Sequence, residues 1–516
     1  MQLKLIQLFI IITTTISTLS AQLTIDALRI SSPTVNGTGR FMGVSGAMGA
    51  LGGDYSAICV NPGGIGVFRK SDFAFSGIIT SSTQSATLKD ESIQNSNFET
   101  IKNKFNFGGA GFVIGGSPTA SNWERVNFVL AFNQSAQFGV NTNFAGVSSG
   151  SILDRFLERS LDPNGVELDG LQPDQLDGFE AGLAYETGAI YDPITTDSKT
   201  TYIHDLLPLK TYKTSKAHSL KESGNMYNFN IGLGGNYKEK LFIGGNLNFP
   251  IYSHSSVKTH EETAPSGTNL SPFSKLKYSE TTNQEGGGVN IAVGAIFKPA
   301  KTLRLGLAYQ SPGYISITES YLNTLTYSYV ENNAITTNTA TSPDGLFEYA
   351  VITPQFVTGS IAYVSKFGFL SADVQFKDYN QSKFLLTVNS DSPADATYQN
   401  ILNADIDKQF KPVWSTNLGA EAALAKFRLR AGTKISQSEF ANDDKLKISY
   451  SAGAGYRGNK VYFDLGFSKR VEDGNYLPYL TGNSDFNNDG KIDAIQPLVS
   501  TNLNQYQLLM TLGFKF

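Results

Sequence analysis

Near its C-terminus the chain carries a strand with one apolar face and one wet face. Tyr506, Leu508, Met510, Leu512, Phe514 and Phe516 fall on one side. Gln505, Gln507, Thr511, Gly513 and Lys515 fall on the other, with Leu509 the only apolar residue out of phase. Side chains along a strand alternate between faces, so the pattern is a strand and not a helix. A terminal aromatic on such a strand is the form taken by the last strand of a bacterial outer-membrane β-barrel, whose apolar face meets lipid. That expectation constrains everything upstream.

Composition agrees with it. The 516 residues include 50 Gly, 34 Phe and 24 Tyr, and only 17% are charged. Barrels with many turns and aromatic girdles have this bias, and helical proteins of this size seldom do. A mean hydropathy of −0.17 argues against a helical membrane protein but not a barrel, because only alternate barrel residues face lipid. The net charge of −4 gives no electrostatic case for nucleic acid as a partner. Residues 1–21 read as a secretory signal: Lys4 supplies the positive end, Leu5 to Ile12 the apolar stretch, and Ser20 or Ala21 the small residue for cleavage. The single Cys59 cannot form an internal disulfide and reads as a small buried side chain.

Period-two alternation recurs through the second half of the chain. Leu303, Leu305, Leu307 and Tyr309 alternate with Arg304, Gly306 and Gln310; Leu370, Ala372, Val374 and Phe376 with Ser371, Asp373, Gln375 and Lys377. Leu241–Phe249, Phe427–Ile435 and Val461–Phe467 repeat the pattern, the polar face carrying Arg428, Arg430, Lys434 and Asp464. Fourteen candidate strands lie near 69–80, 104–116, 124–140, 225–238, 240–256, 285–299, 301–319, 348–365, 367–380, 411–424, 426–439, 444–457, 459–471 and 504–516. Their connections alternate mostly short and long. The long ones fall at 81–103, 141–224, 257–284, 320–347, 381–410 and 472–503, and 440–443 is a short exception. Short turns on one side and long loops on the other mark a transmembrane barrel with periplasmic turns and extracellular loops. The competing reading, charges on the outer face of a soluble β-sandwich, has no reason to keep that parity.

The long connection 141–224 is partly helical. Ile152, Leu153, Phe156, Leu157 and Leu161 recur at helical spacing opposite Asp154, Arg155, Glu158 and Arg159, and Asp162-Pro163-Asn164-Gly165 ends the helix. A second helix is expected over Gln175–Tyr191, with Leu176, Phe179, Leu183 and Ile190 on its apolar side. Upstream, residues 22–66 form a separate Gly-rich segment, with ten glycines between Gly37 and Gly66, before the barrel of residues 67–516 begins.

Within that segment Gly39-Arg40-Phe41-Met42-Gly43-Val44-Ser45-Gly46-Ala47, then Gly52-Gly53-Asp54, then Val60-Asn61-Pro62-Gly63-Gly64, resembles the start of FadL-type outer-membrane transporters of long-chain fatty acids and other hydrophobic compounds. The family usually ends this segment on Asn-Pro-Ala, where Gly63 stands here. The resemblance implies an all-β, antiparallel fourteen-stranded barrel with the N-terminal segment folded inside as a plug, in agreement with the strand count. It implies that Gly52, Gly53, Asn61, Pro62 and Gly63 gate the lumen. It implies that Leu153, Phe156, Leu157, Phe179 and Leu183 make first contact with ligand, unless they only pack the loop. It implies lateral release through a kink in the third strand, placed at Asn133, Gln134 and Ser135, where the outward apolar run lapses between Phe132 and Phe138; an ordinary polar strand end would look the same. The partners implied are a hydrophobic small molecule, outer-membrane lipid and, through the C-terminal strand, the barrel-assembly machinery.

Two further motifs are weaker. Asp485, Asn487, Asp489, Lys491 and Asp493 fall in a run that matches the start of an EF-hand-like loop, but Gln496 stands where the bidentate Glu belongs. A weak structural Ca²⁺ site competes there with an Asn/Asp-rich turn. Gly146-Val147-Ser148-Ser149-Gly150 spells a nucleophile pattern whose parallel sheet and His partner are not in view. The expectation is therefore a channel for passive uptake of hydrophobic compounds, long-chain fatty acids foremost, with no catalytic residues and no cofactor. Its alternatives are a surface antigen or adhesin barrel without transport and a hydrophilic porin.

Overall fold

The computed structural model describes residues 24–32, 36–90, 92–119, 121–161, 170–194, 200–386, 393–482, 484, 486, 492 and 494–516. Fourteen antiparallel strands close into one ring. They are β1 (Asp72–Lys89), β2 (Phe98–Gly116), β3 (Trp123–Phe138 and Asn141–Ser149), β4 (Lys213–Tyr237), β5 (Leu241–Thr263), β6 (Phe273–Phe297) and β7 (Leu303–Gln310 and Gly313–Glu331). The ring continues through β8 (Gly345–Thr353 and Phe356–Ser365), β9 (Gly368–Asp378 and Lys383–Leu385), β10 (Pro412–Leu424), β11 (Phe427–Gln437), β12 (Leu446–Arg457), β13 (Val461–Tyr476) and β14 (Leu498–Lys515). Pairing of β1 with β14, from Asp72↔Lys515 to Lys89↔Leu498, shuts the ring. The breaks inside β7 and β8 fall at Pro312 and Pro354, which have no N–H to give the ladder.

The alternation resolves as two environments. Leu233, Ile243, Leu247, Leu305, Leu307, Ile361, Leu370, Leu429 and Phe463 are exposed on the outside. Asp373, Lys377, Arg430 and Asp464 are buried on the inside. Apolar groups out and charged groups in is the reverse of a soluble fold, and it identifies the outer face as the lipid face. On β14, Tyr506, Leu508, Phe514 and Phe516 point out, whereas Leu509 is buried inside on Met42 and Ile78. The out-of-phase residue is a lumen contact.

Several strands run well past the expected ends. A tilted strand needs about 9–11 residues to cross a bilayer, but β4 and β6 have 25 each. Much of what read as loop at 81–103, 257–284 and 320–347 is therefore strand. Above the membrane both faces of a strand tolerate polar residues, so the alternation fades while the hydrogen-bonded ladder continues. Residues 332–344 also hold an extra strand, Ala334–Thr341, that folds back on β7 through Asn332 and Asn333, both at positive φ. Paired residues in that backbone region make the tight hairpin turn that matches strand twist.

The second loop helix is shorter than expected. Only Ala181–Thr187 is α-helical, preceded by a separate turn at Pro173–Gln175. The Asp177 carboxylate accepts from the backbone N–H groups of Phe179, Glu180 and Ala181 and so starts the helix late. Gly188, at φ 76°, ends it in the left-handed conformation. The long connection 381–410 holds the helix Pro393–Gln409.

Candidate functional site

Residues 36–68 are built from three short turns, each started by a side-chain cap. Thr38 caps Gly39–Met42, Asp54 caps Tyr55–Cys59, and Asn61 caps Pro62–Val67. Local caps matter because pieces this short have almost no helical cooperativity of their own. Thr38 Oγ1 donates to Asp54 Oδ2 at 2.7 Å, which ties the first turn to the second. Asn61 Nδ2 donates to Gly49 O at 2.6 Å and to Ala295 O of β6 at 3.1 Å, which ties the third to both segment and wall.

The other wall contacts come from every side. Gly39 N donates to Thr511 Oγ1 on β14, Gly49 N to Asp373 Oδ2 on β9, and Arg304 on β7 donates to Leu51 O. Asn127 on β3 donates to Ile65 O and Phe68 O. The segment therefore lies inside the ring. Gly52 sits at φ 62° with its absent Cβ 2.6 Å from Gly64 Cα, and a Cβ on Gly66 would come 2.4 Å from Gly235 O in the wall. Both positions demand glycine. Pro62 and Gly63 are buried in the same region, where a Cβ on Gly63 would come 2.9 Å from Ala295 Cα, and Gly53 is half-buried at φ 65°.

Under the first turn lies a buried ion cluster. Arg430 Nε donates to Glu421 at 2.7 Å, and Arg430 Nη1 and Arg457 Nη1 each reach Asp464 at 2.8 Å. Asp464 and the Arg430 side chain are almost fully buried.

The wall is not a uniform ladder. The β2–β3 pairing runs from Gly116↔Val126 to Gly109↔Asn133 and stops there. Beyond that point β2 keeps its bonds to β1, and β3 keeps its bonds to β4 with a bulge between Gln134 and Ala136. Gly109 and Gly139, on the two parting edges, have φ of 151° and 124°. The upper half of β3 leans inward, and Phe144 packs on the inward residues Ala86 and Leu88 of β1. Higher up, side chains of the described residues bridge the two strands: Lys102 Nζ donates to Asn141 Oδ1 and Asn143 Nδ2 to Thr100 Oγ1, each at 3.1 Å. The result is a window in the backbone ladder between residues 103–108 and 134–140, level with the exposed Phe105 and Phe107 and spanned by the Tyr227 hydroxyl, which donates to Phe107 O at 3.2 Å.

Asn133, Gln134 and Ser135 lie at the foot of this window and are fully buried. Asn36 donates from its backbone and side chain to Gln134, and Asn133 Nδ2 lies 3.7 Å from Cys59 Sγ, so the lumen segment touches the bulge at two points. Burial pushes the Cys59 thiol up to about 12. Behind the bulge Ala136 joins an apolar cluster with Met226, Tyr252, Ile315, Ile317, Tyr349 and Ile30, the last from a helix over residues 24–31. Leu402 and Ile406 of helix Pro393–Gln409 close that cluster from above.

Leu153, Phe156, Leu157 and Leu183 are at most 2% exposed, in a second apolar cluster against Phe273, Leu276, Tyr278, Leu325 and Tyr327 of the strand extensions. Phe179 is half-buried, its ring 4.8 Å from Tyr321. The five residues thus face the barrel rather than solvent, and the loop helices cap the ring. Buried polar groups seat the first helix. Glu262 Oε2 accepts from Ser151 Oγ at 2.5 Å, and Glu262 Oε1 from Ile152 N at 3.0 Å; His260 Nε2 is 2.9 Å from the same carboxylate. Arg155 makes a bidentate pair with Glu180, at 2.5 and 3.0 Å, joined by Arg159 at 3.3 Å.

Burial alone would raise the Glu180 carboxyl, but Arg155 and Arg159 hold it below its usual range. The stabilisation it supplies is therefore complete above the ordinary carboxylate pKa of about 4.3 and is lost as pH falls through the lower folded value. Glu180→Ala is expected to destabilise the helical cap by about 3 kcal/mol, because it strands the buried Arg155 guanidinium. Hydrogen exchange over 152–160 and 181–187 measures this; unchanged protection at neutral pH would show that the pair does not hold the cap.

Asp485, Asn487, Asp489, Lys491 and Asp493 lie outside the described residues, as do residues 1–21. Gly146–Ser149 belongs to an antiparallel ladder with β4, Ser148 opposite Thr214, which is not the parallel strand-to-helix turn a nucleophile of that motif needs. Sequence reasoning missed helix Pro393–Gln409, although Tyr398, Leu402, Ile406 and Phe410 recur every four residues. It also missed the 24–31 helix and Glu262, for which one short segment and one isolated carboxylate left no pattern to read.

No protein-family model matches the chain, and no curated protein matches it. Solved structures do. A Pseudomonas aeruginosa FadL homologue superposes with a TM-score of 0.54 at 11% identity, over 93% of this chain and 98% of that one. The P. putida toluene transporter TodX gives 0.48 at 13% identity, over 93% and 98%, and the Ralstonia pickettii toluene transporter TbuX gives 0.47 at 14%, over 92% and 98%. The first of these shows that the chain has the FadL-type barrel fold. The identities are too low to carry a substrate across.

Proposed function

We propose that this barrel is exported to the outer membrane and takes up hydrophobic small molecules by passive diffusion, with long-chain fatty acids as its substrate class. The observation that carries the reading is the end of the β2–β3 backbone ladder at Gly109 and Asn133, beside the internal apolar cluster that Ala136 joins. An alkyl chain gains about 0.8 kcal/mol per CH₂ by staying out of water, so a route that ends in lipid suits it and an aqueous pore does not. Residues 36–68 act as the plug that bars a straight aqueous path, with Gly52, Gly53, Asn61, Pro62 and Gly63 fixing its docked form. The loop helices are the outer docking element, and Leu153, Phe156, Leu157, Phe179 and Leu183 meet ligand when the cap loosens.

The test is uptake of labelled oleate and labelled toluene by cells with and without the gene, in a background lacking other such transporters. Faster oleate uptake with the gene is expected. Faster toluene uptake alone would move the substrate class to small aromatics, and no difference for either would leave a surface antigen or adhesin as the better account.

A further inference from the structure

At the short-turn mouth of the ring, on the side away from the window, lies a cavity of about 290 Å³. Its lining includes four cationic side chains, Arg40, Arg304, Lys366 and Arg428, and one carboxylate, Glu421. That carboxylate is already engaged: it accepts from Arg430 at 2.7 Å and lies 3.7 Å from Arg428 Nε. Arg40 and Arg304 bond to neutral carbonyls of the lumen segment, Gly53 O at 2.9 Å and Leu51 O at 2.8 Å. Arg304 Nε is buried and, among the described residues, has no hydrogen-bond partner.

Partly buried like charges with spare N–H donors are costly unless an anion joins them. Guanidinium groups match the paired oxygens of carboxylate and phosphate, which accept two parallel hydrogen bonds. We propose that this cavity is a binding site for a compact oxyanion, a phosphate or carboxylate group, that ties the lumen segment to the wall. Its cations come from four elements: Arg40 from the lumen segment, Arg304 from β7, Lys366 from the β8–β9 turn and Arg428 from β11. An anion seated among them clamps the Leu51–Gly53 turn, where Gly52 and Gly53 already hold positive φ. A free phosphate, a lipid headgroup phosphate and a free carboxylate share this chemistry.

Calorimetric titration of the folded full chain in non-ionic detergent, at constant ionic strength, tests the site. Inorganic phosphate, glycerophosphoethanolamine and acetate are the three probes, and the one that binds tightest identifies the source. Saturable binding of at least one is expected, weakened about tenfold or more by Arg304→Gln or Arg40→Gln, since one hydrogen bond to a charged group contributes about 1.5–3 kcal/mol. Lys366→Gln, on an exposed turn, keeps the test open if the arginine variants fail to fold, and it too is expected to weaken binding. No saturable binding of any probe overturns the site, as does unchanged affinity in the folded variants. The titration reads no uptake, so its failure is separate from failure of the transport reading.

Discussion

Deletion of Ser135 is expected to cut uptake of the hydrophobic substrate about tenfold or more, each ~1.4 kcal/mol added to a barrier being a factor of ten in rate. Ser135 is the extra residue of the β3 bulge: Gln134 pairs with Tyr227 and Ala136 with Met226, which leaves Ser135 without a partner residue. Bulges bend a strand and break its ladder locally. Without the extra residue β3 can run straight, and positions above Asn133 come opposite β2 again. Each ladder bond gained there contributes about 1 kcal/mol net, so a few suffice to close the window. The lost Ser135 Oγ–Met226 O bond, 3.1 Å long, costs far less than the ladder returns. The measurement is oleate uptake, normalised to the amount of heat-modifiable folded barrel in the membrane. Wild-type uptake by a well-folded deletion variant would mean that ligand leaves by another path.

Asp464→Ala is expected to lower barrel stability by about 3–5 kcal/mol, the usual cost of removing one partner from a buried ion pair. Asp464 is the carboxylate shared by Arg430 and Arg457, and its removal leaves two guanidinium groups in the lumen with Glu421 as the remaining carboxylate of that cluster. The effect reaches the lumen segment, because a Cβ on Gly39 would lie 2.8 Å from the Asp464 carbonyl. The first turn of the lumen segment rests on this part of β13. The temperature at which the folded band converts to the unfolded band on a gel should drop, and small hydrophilic solutes should leak faster. Asp464→Asn, which keeps the shape and some hydrogen bonds, should fall between. A variant with unaltered conversion temperature would show that the cluster is not a structural support.

Legibility differed from element to element. The membrane part of each strand was readable because lipid on one face and water or protein on the other impose period two on local residues, as in Leu303–Gln310 and Leu370–Lys377. The same logic failed above the bilayer. At residues 213–224 both faces are largely polar, and the strand there looks like a loop. The bulge near Gln134 was visible as a lapse of apolar residues, although nothing local separates a kink from a polar strand end. The caps Thr38, Asp54 and Asn61 of the lumen segment were present as residue types, but wall partners such as Ala295 for Asn61 lie hundreds of positions away.

By itself the sequence determined the solvent of each face, and with it the barrel class, the strand number and the end on which the turns are short. Those are properties of neighbouring residues in one strand. Only the tertiary structure decided that β2 and β3 part at Gly109 and Asn133, that Leu509 points inward onto Met42, and that four cations from separate elements surround one cavity. Each of these depends on which distant segments meet, and contacts between distant segments leave no periodic trace in the chain.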